Sequence, residues 1–160
     1  MVHSCTNPFA PAKADKNANT SNLLTDQKNP DEVLTNFKFA YTFKDSIVYS
    51  ELFDSSFVFR SMDYNEVPPV PIQWGRDLEL KTAGRMFRFF NVLDLTFNII
   101  ERDTTKFDAS NSPTEIQHRI TFTLALDGGA TIPVLNGEVI FEYVRRGNKW
   151  LLNLWEDQQI

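Results

Sequence analysis

The period of the hydrophobic pattern changes near Asn91, and that change limits what this chain can fold into. Beyond it, Leu93, Leu95, Phe97 and Ile99 alternate with Asp94, Thr96 and Asn98. Ile116, His118, Ile120, Phe122, Leu124 and Leu126 then share one parity, opposite Gln117, Arg119, Thr121 and Thr123. Successive side chains of a strand point to opposite faces, so these runs read as strands with one face buried. A polar loop is expected at 103–114, and Asp127-Gly128-Gly129 reads as a turn. Two more strands, 132–146 and 149–157, meet at Arg146-Gly147-Asn148-Lys149, a sequence suited to a hairpin. Four long antiparallel strands therefore end the chain, and their apolar face requires a cover.

That cover precedes the strands. Asn29-Pro30-Asp31-Glu32 reads as a helix start, with Asn29 as cap, Pro30 in the first helical position and Glu32 placed to close a capping box. The helix is expected to run to Lys44. Val33, Phe37, Ala40, Tyr41 and Lys44 form its stripe, while Phe39 and Phe43 widen the arc enough to wedge it between two partners. Asp45 is placed to cap a short second helix over Ser46–Phe53. Asp54-Ser55-Ser56 reads as a turn and Phe57–Met62 as a strand. Val67-Pro68-Pro69-Val70-Pro71 cannot be a central strand, because proline lacks the ladder donor. It reads as a stiff loop leading to Trp74-Gly75-Arg76-Asp77, where Asp77 can cap a third helix over Leu78–Phe90. Helices gathered ahead of long strands define an α+β architecture.

The 160 residues suit one domain, and 14 of them are phenylalanine. Phe brings a large apolar surface and no polar handle, so this many imply a thick core, an apolar cavity, or both. Sixteen basic residues against 21 acidic ones give a net charge of −5, which argues against nucleic acid as partner. No apolar run approaches the roughly 18–20 residues that cross a bilayer. The one cysteine excludes an intramolecular disulfide, and with His3 and His118 alone beside it no Cys/His zinc site can be assembled. No phosphate loop, nucleophile elbow or calcium loop occurs, so neither cofactor nor metal is expected. Residues 1–28 are polar, with Phe9 their only aromatic, and read as a flexible leader to a domain over 29–160. Val2-His3-Ser4-Cys5 resembles the end of a bacterial lipoprotein signal, which Val2 and Ser4 fit and from which His3 departs. The resemblance implies a lipid anchor on Cys5 and a place in the bacterial envelope. The alternative is an incidental cysteine in a cytoplasmic protein.

The order of elements resembles the nuclear-transport-factor-2-like (NTF2-like) superfamily, also called SnoaL-like or cystatin-like. Its matching points are Lys44-Asp45, Leu52-Phe53-Asp54, Trp74-Gly75-Arg76-Asp77 and the closing Gly147-Asn148-Lys149-Trp150-Leu151-Leu152, spread over residues 30–160. The resemblance implies a strongly curved mixed or antiparallel sheet packed against three helices. The result is a cone with a pocket at its wide end and, often, a homodimer through the outer sheet face. It implies no single chemistry, because the superfamily hosts isomerases and dehydratases beside pocketed proteins that catalyse nothing. A ketosteroid-isomerase pattern would place a tyrosine donor where this chain has Phe37, and a general-base aspartate near Arg60 or Ser61.

His118 shares the parity of the apolar strand residues, so it is the candidate acid or base on the concave face. Asp94 is its candidate partner, with Glu156 and Asp157 as others. Tyr41, Tyr49, Trp74, Trp155 and His118 are the candidate pocket residues able to hydrogen-bond a ligand. Without a convincing acid–base pair, the expected function is non-enzymatic binding of a small apolar or amphipathic ligand, or of a protein partner. The rivals are an isomerase or dehydratase built on His118 and Asp94, and a structural dimerisation module.

Overall fold

The computed structural model describes residues 23–158. Helix α1 (Pro30–Phe43) begins as its sequence dictates. The Asn29 side chain accepts the Glu32 N–H at 3.0 Å, and the Glu32 carboxylate accepts the Lys28 N–H at 2.8 Å, one residue upstream of the expected reciprocal bond. Lys44 ends the helix in the left-handed region, at φ 53°. Asp45 then caps α2 (Ser46–Ser50), accepting from the N–H groups of Ile47 and Val48 at 2.9 and 3.0 Å. This helix stops before Phe53, because β1 (Phe53–Asp63) already starts there. Asp54-Ser55-Ser56 is thus not a turn: it lies in β1, at a register shift against the last strand.

The proline-rich segment yields a strand after all, β2 (Val70–Gly75), but at the sheet edge, where a missing donor breaks no interior ladder. Helix α3 (Arg76–Phe89) follows directly. Its cap position is Gly75, with no side-chain bond, so Asp77 lies inside the first turn instead of capping it. The long strands are β3 (Leu93–Phe107), β4 (Pro113–Leu126), β5 (Leu135–Arg146) and β6 (Lys149–Gln158). The polar residues up to Phe107 belong to β3, and the connecting loop is shorter than expected. Asp108 closes it by accepting the N–H groups of Ser110 and Ser112.

The six strands form one sheet in the order β2-β1-β6-β5-β4-β3. Only β1 and β6 run parallel. Register shifts between Ile99 and Glu101, between Glu142 and Tyr143, and between Phe53 and Val58 interrupt the ladders. Such bulges bend and twist strands, and they curl this sheet around α1. Phe37 is the centre of the core. Its ring lies 5.2–5.9 Å from those of Tyr41, Tyr49, Phe97, Phe141 and Trp155, so one residue joins α1 to α2 and three strands.

Two expectations about α1 need correction. It is not wedged between two apolar partners: Phe43 is exposed, and Phe39 pairs with it at 4.5 Å on the outer side. The other buried flank of α1 is polar. Asn36 accepts the Thr25 N–H at 2.8 Å and donates to the Thr25 carbonyl at 3.0 Å. Gln27, only 2% exposed, donates to the Trp150 carbonyl at 2.9 Å, while its own carbonyl accepts the Trp150 N–H at 2.7 Å. The end of the segment expected to be a flexible leader therefore straps α1 to the start of β6. The lipidation candidate Cys5 lies outside the described residues.

Candidate functional site

Between α1, α3 and the concave sheet face is a cavity of about 270 Å³. Its wall is built from alternate strand residues, among them Phe97, Phe122, Val139 and Phe141, and from Phe37, Ala83 and Met86 on the helices. A groove of about 700 Å³ at the start of α3 shares Trp74 with the cavity, but mostly exposed residues line it. The smaller cavity is the better candidate for a small ligand, because its wall is largely apolar with a few convergent polar groups.

Those polar groups are ordered. Glu79, 6% exposed, accepts from the Tyr49 hydroxyl at 2.7 Å and from the Trp74 indole N–H at 2.8 Å. Burial raises the Tyr49 hydroxyl pKa well above its ordinary value, and Tyr41 and Glu79 beside it add to the effect. Burial also raises that of Tyr41, which reaches the cavity in front of Tyr49. A second carboxylate, Asp157, accepts from the Trp155 indole N–H at 2.8 Å, and burial raises its pKa. Trp74 stacks on Phe59 with ring centroids 3.8 Å apart, which fixes its indole for the bond to Glu79.

Of the residues singled out from the sequence, Tyr41, Trp74 and Trp155 line this cavity. Tyr49 stands behind it as the link to Glu79. His118 does not line it. It borders a separate surface cleft with Asp31, Thr35 and Arg102, its Nε2 lying 4.0 Å from the Asp31 carboxylate. Asp31 is instead bonded to Arg102 at 2.9 Å. Burial lowers the His118 pKa to about 4; Asp31 opposes this and Arg102 adds to it. Among the described residues, His118 Nδ1 and the Tyr143 hydroxyl are buried without a hydrogen-bond partner.

The expected His118–Asp94 pair is not formed. Asp94 is exposed and pairs across the sheet with Ala125, whereas His118 pairs with Arg102 and Phe141. The two residues have opposite parity: Leu93 and Leu95 face inward, so Asp94 faces out. Among the described residues, no cluster of three metal-ligating side chains occurs and no helix is long and apolar enough to cross a membrane.

Sequence reasoning missed Glu79 altogether and weighed Asp157 only as a partner for His118. A signal for each was present. Glu79 stands four residues before Ala83 and eight before Phe87, on the buried stripe of α3. Asp157 is two residues beyond Trp155, on the same face of β6.

No family sequence model matches the chain, and no curated protein sequence matches it. Solved structures do match. An uncharacterised protein with a cystatin-like fold from Caulobacter vibrioides has a TM-score of 0.60 at 13% identity, with 81% of this chain and 86% of that one covered. A candidate scytalone dehydratase from Novosphingobium aromaticivorans gives 0.58 at 17% identity, covering 81% of this chain and 80% of its own. An NTF2-like protein of unknown function from Shewanella baltica gives 0.55 at 14%, with 80% and 88% covered. The chain has the NTF2-like, cystatin-like α+β fold. At these identities the fold is what is shared, and function has to be argued from the site.

Proposed function

We propose that this domain binds a small apolar or amphipathic ligand inside its cone. The observation that carries this reading is the cavity of about 270 Å³, walled by phenylalanines and reached by the Tyr41, Glu79 and Asp157 side chains. An apolar wall supplies affinity by removing ligand surface from water, and a few fixed polar groups orient what enters. A volume near 300 Å³ is at the small end of ligand sites, which favours one or two rings over a long chain. The isomerase or dehydratase reading needs His118 within hydrogen-bond reach of a carboxylate inside the apolar cavity; His118 instead borders a surface cleft, where the Asp31 carboxylate lies 4.0 Å from its Nε2 and is bonded to Arg102.

The test uses small neutral aromatics such as p-xylene and naphthalene, followed by NMR of the indole N–H signals. Trp74 and Trp155 line the cavity, while Trp150 is buried away from its wall. Saturable shifts at Trp74 and Trp155, with Trp150 unmoved, are the expected result. No shift with any probe, together with ligand-free protein in native mass spectrometry, would refute the reading.

A further inference from the structure

The charge of the cavity does not match its apolar wall. Among the described residues, no lysine, arginine or histidine lines it, yet two carboxylates do. Neither Glu79 nor Asp157 takes part in an ion pair among the described residues. Both are served by neutral donors instead: Glu79 by Tyr49 and Trp74, Asp157 by Trp155 with the Ser61 hydroxyl beside it. Glu79 is removed from water without a cation, and Asp157, half-buried, is partly so; neutral hydrogen bonds offset only part of the lost hydration. The raised pKa of Asp157, caused by burial, has the same origin.

The aromatic groups point the same way. The donors to the carboxylates are the indoles of Trp74 and Trp155, which themselves line the cavity. Hydrogen bonds polarise their partners, so an indole N–H given to a carboxylate leaves the ring richer in electrons. An electron-rich ring face attracts an organic cation, tryptophan most of all. A hydrated metal ion would lose its water against phenylalanine, and an anion would meet two like charges. An alkylated ammonium carries its charge on an apolar surface and satisfies both wall and carboxylates.

We infer that the cavity selects organic cations, a quaternary or hydrophobic ammonium with an apolar body, through Glu79, Asp157, Trp74 and Trp155. This rests on the ligand-pocket reading above and specifies its substrate class. Asp157 supplies a charge partner whose second oxygen is free of the Trp155 bond. Glu79, with both oxygens occupied by Tyr49 and Trp74, acts at longer range through the low-dielectric interior.

The experiment compares two probes of the same shape: benzyltrimethylammonium, and neopentylbenzene, in which carbon replaces the charged nitrogen. Both are titrated at neutral pH against the full chain and read on the Trp74 and Trp155 indole signals. The cation is expected to bind roughly tenfold tighter than its neutral isostere. Asp157→Asn, whose amide oxygen can still accept from Trp155, should weaken benzyltrimethylammonium far more than neopentylbenzene and so remove most of that preference. Glu79→Gln, checked for folding by its thermal melt, should reduce the preference as well. Equal or tighter binding of neopentylbenzene would overturn the inference while leaving the pocket reading intact. A preference that survives both substitutions would overturn it too, and binding of neither probe would sink both readings.

Discussion

Gly137 offers the sharpest test of the cavity wall. It pairs across the sheet with Phe122, and the Phe122 ring lies over it. A Cβ at Gly137 would stand 2.6 Å from Phe122 Cζ, and closer still to Cε1. Ordinary carbon contacts are about 3.5–4.0 Å, so Gly137→Ala must displace the ring by about 1 Å. Phe122 borders the cavity, and the ring moves into it. Overpacking of this kind costs about 1–3 kcal/mol, while replacing glycine recovers about 0.4–1 kcal/mol through the unfolded chain. The net expectation is a loss of stability of about 1–2 kcal/mol. The ring also takes space from the ligand. Loss of one methylene's worth of burial is about 0.8 kcal/mol, or about fourfold in affinity for p-xylene. Urea denaturation reads the first effect and NMR titration the second. Adding Phe122→Leu shortens the obstructing group and should restore both. If Gly137→Ala binds p-xylene as the parent does, or if Phe122→Leu rescues neither property, the placement of Phe122 in the wall is wrong.

Three other perturbations follow from individual contacts. Asn36→Ala removes the bonds to the Thr25 backbone and should destabilise the domain by about 1–3 kcal/mol, with faster hydrogen exchange at the Trp150 N–H that Gln27 holds; an unchanged urea midpoint and exchange rate would show that the strap contributes nothing. Asp54 is 4% exposed at its side chain and accepts two bonds from Arg146, which with Ser56 hold its carboxyl well below the usual range. A depressed pKa gives stability that is present above about pH 4 and lost as pH falls toward the folded value, so Asp54→Asn should cost about 1–3 kcal/mol at neutral pH and flatten the acid limb; an acid limb identical to the parent's would contradict this. His118 is lowered to about 4 by burial, so its contribution is complete above its ordinary value of about 6.5 and is lost as pH falls from there toward 4, by up to about 3 kcal/mol. His118→Leu should remove that slope, and an NMR titration placing the parent imidazole near 6.5 would disprove the burial argument.

The sheet was legible because its signal is strictly local. Period-2 alternation at Leu93–Ile99 and Ile116–Leu126 specifies both a strand and its inner face, and those residues do face α1. The caps at Asn29 and Asp45 were legible for the same reason, since each is a side chain bonded within its own first turn. What misled were features settled by partners distant in sequence. Asp54-Ser55-Ser56 has the composition of a turn, yet Arg146 and Asn153 hold it inside β1 from across the sheet. Phe39 and Phe43 look like a second buried face, but that place is taken by the polar strap from Thr25 and Gln27. The pairing of His118 with Asp94 failed at register: Asp94 lies opposite Ala125, far along β4 from His118 and on the other face, while a bulge after Ile99 brings Arg102 opposite His118.

Glu79 is where the fold and the site are hardest to separate. Through Tyr49 and Trp74 it ties α2, α3 and β2 together at one side of the cavity, which looks like a structural role. Stability alone does not account for it. A buried carboxylate without a cation is a weak stabiliser, and an apolar residue of similar volume often packs as well or better. In a chain with 14 phenylalanines such a replacement would be unexceptional. What only the carboxylate supplies is a fixed negative charge beside an aromatic wall, held by donors that need no water. A half-buried counterpart occurs at Asp157 with Trp155, on β6 instead of a helix. Two indole–carboxylate pairs on separate elements, both bordering one cavity, are better explained by what enters it than by what holds it together.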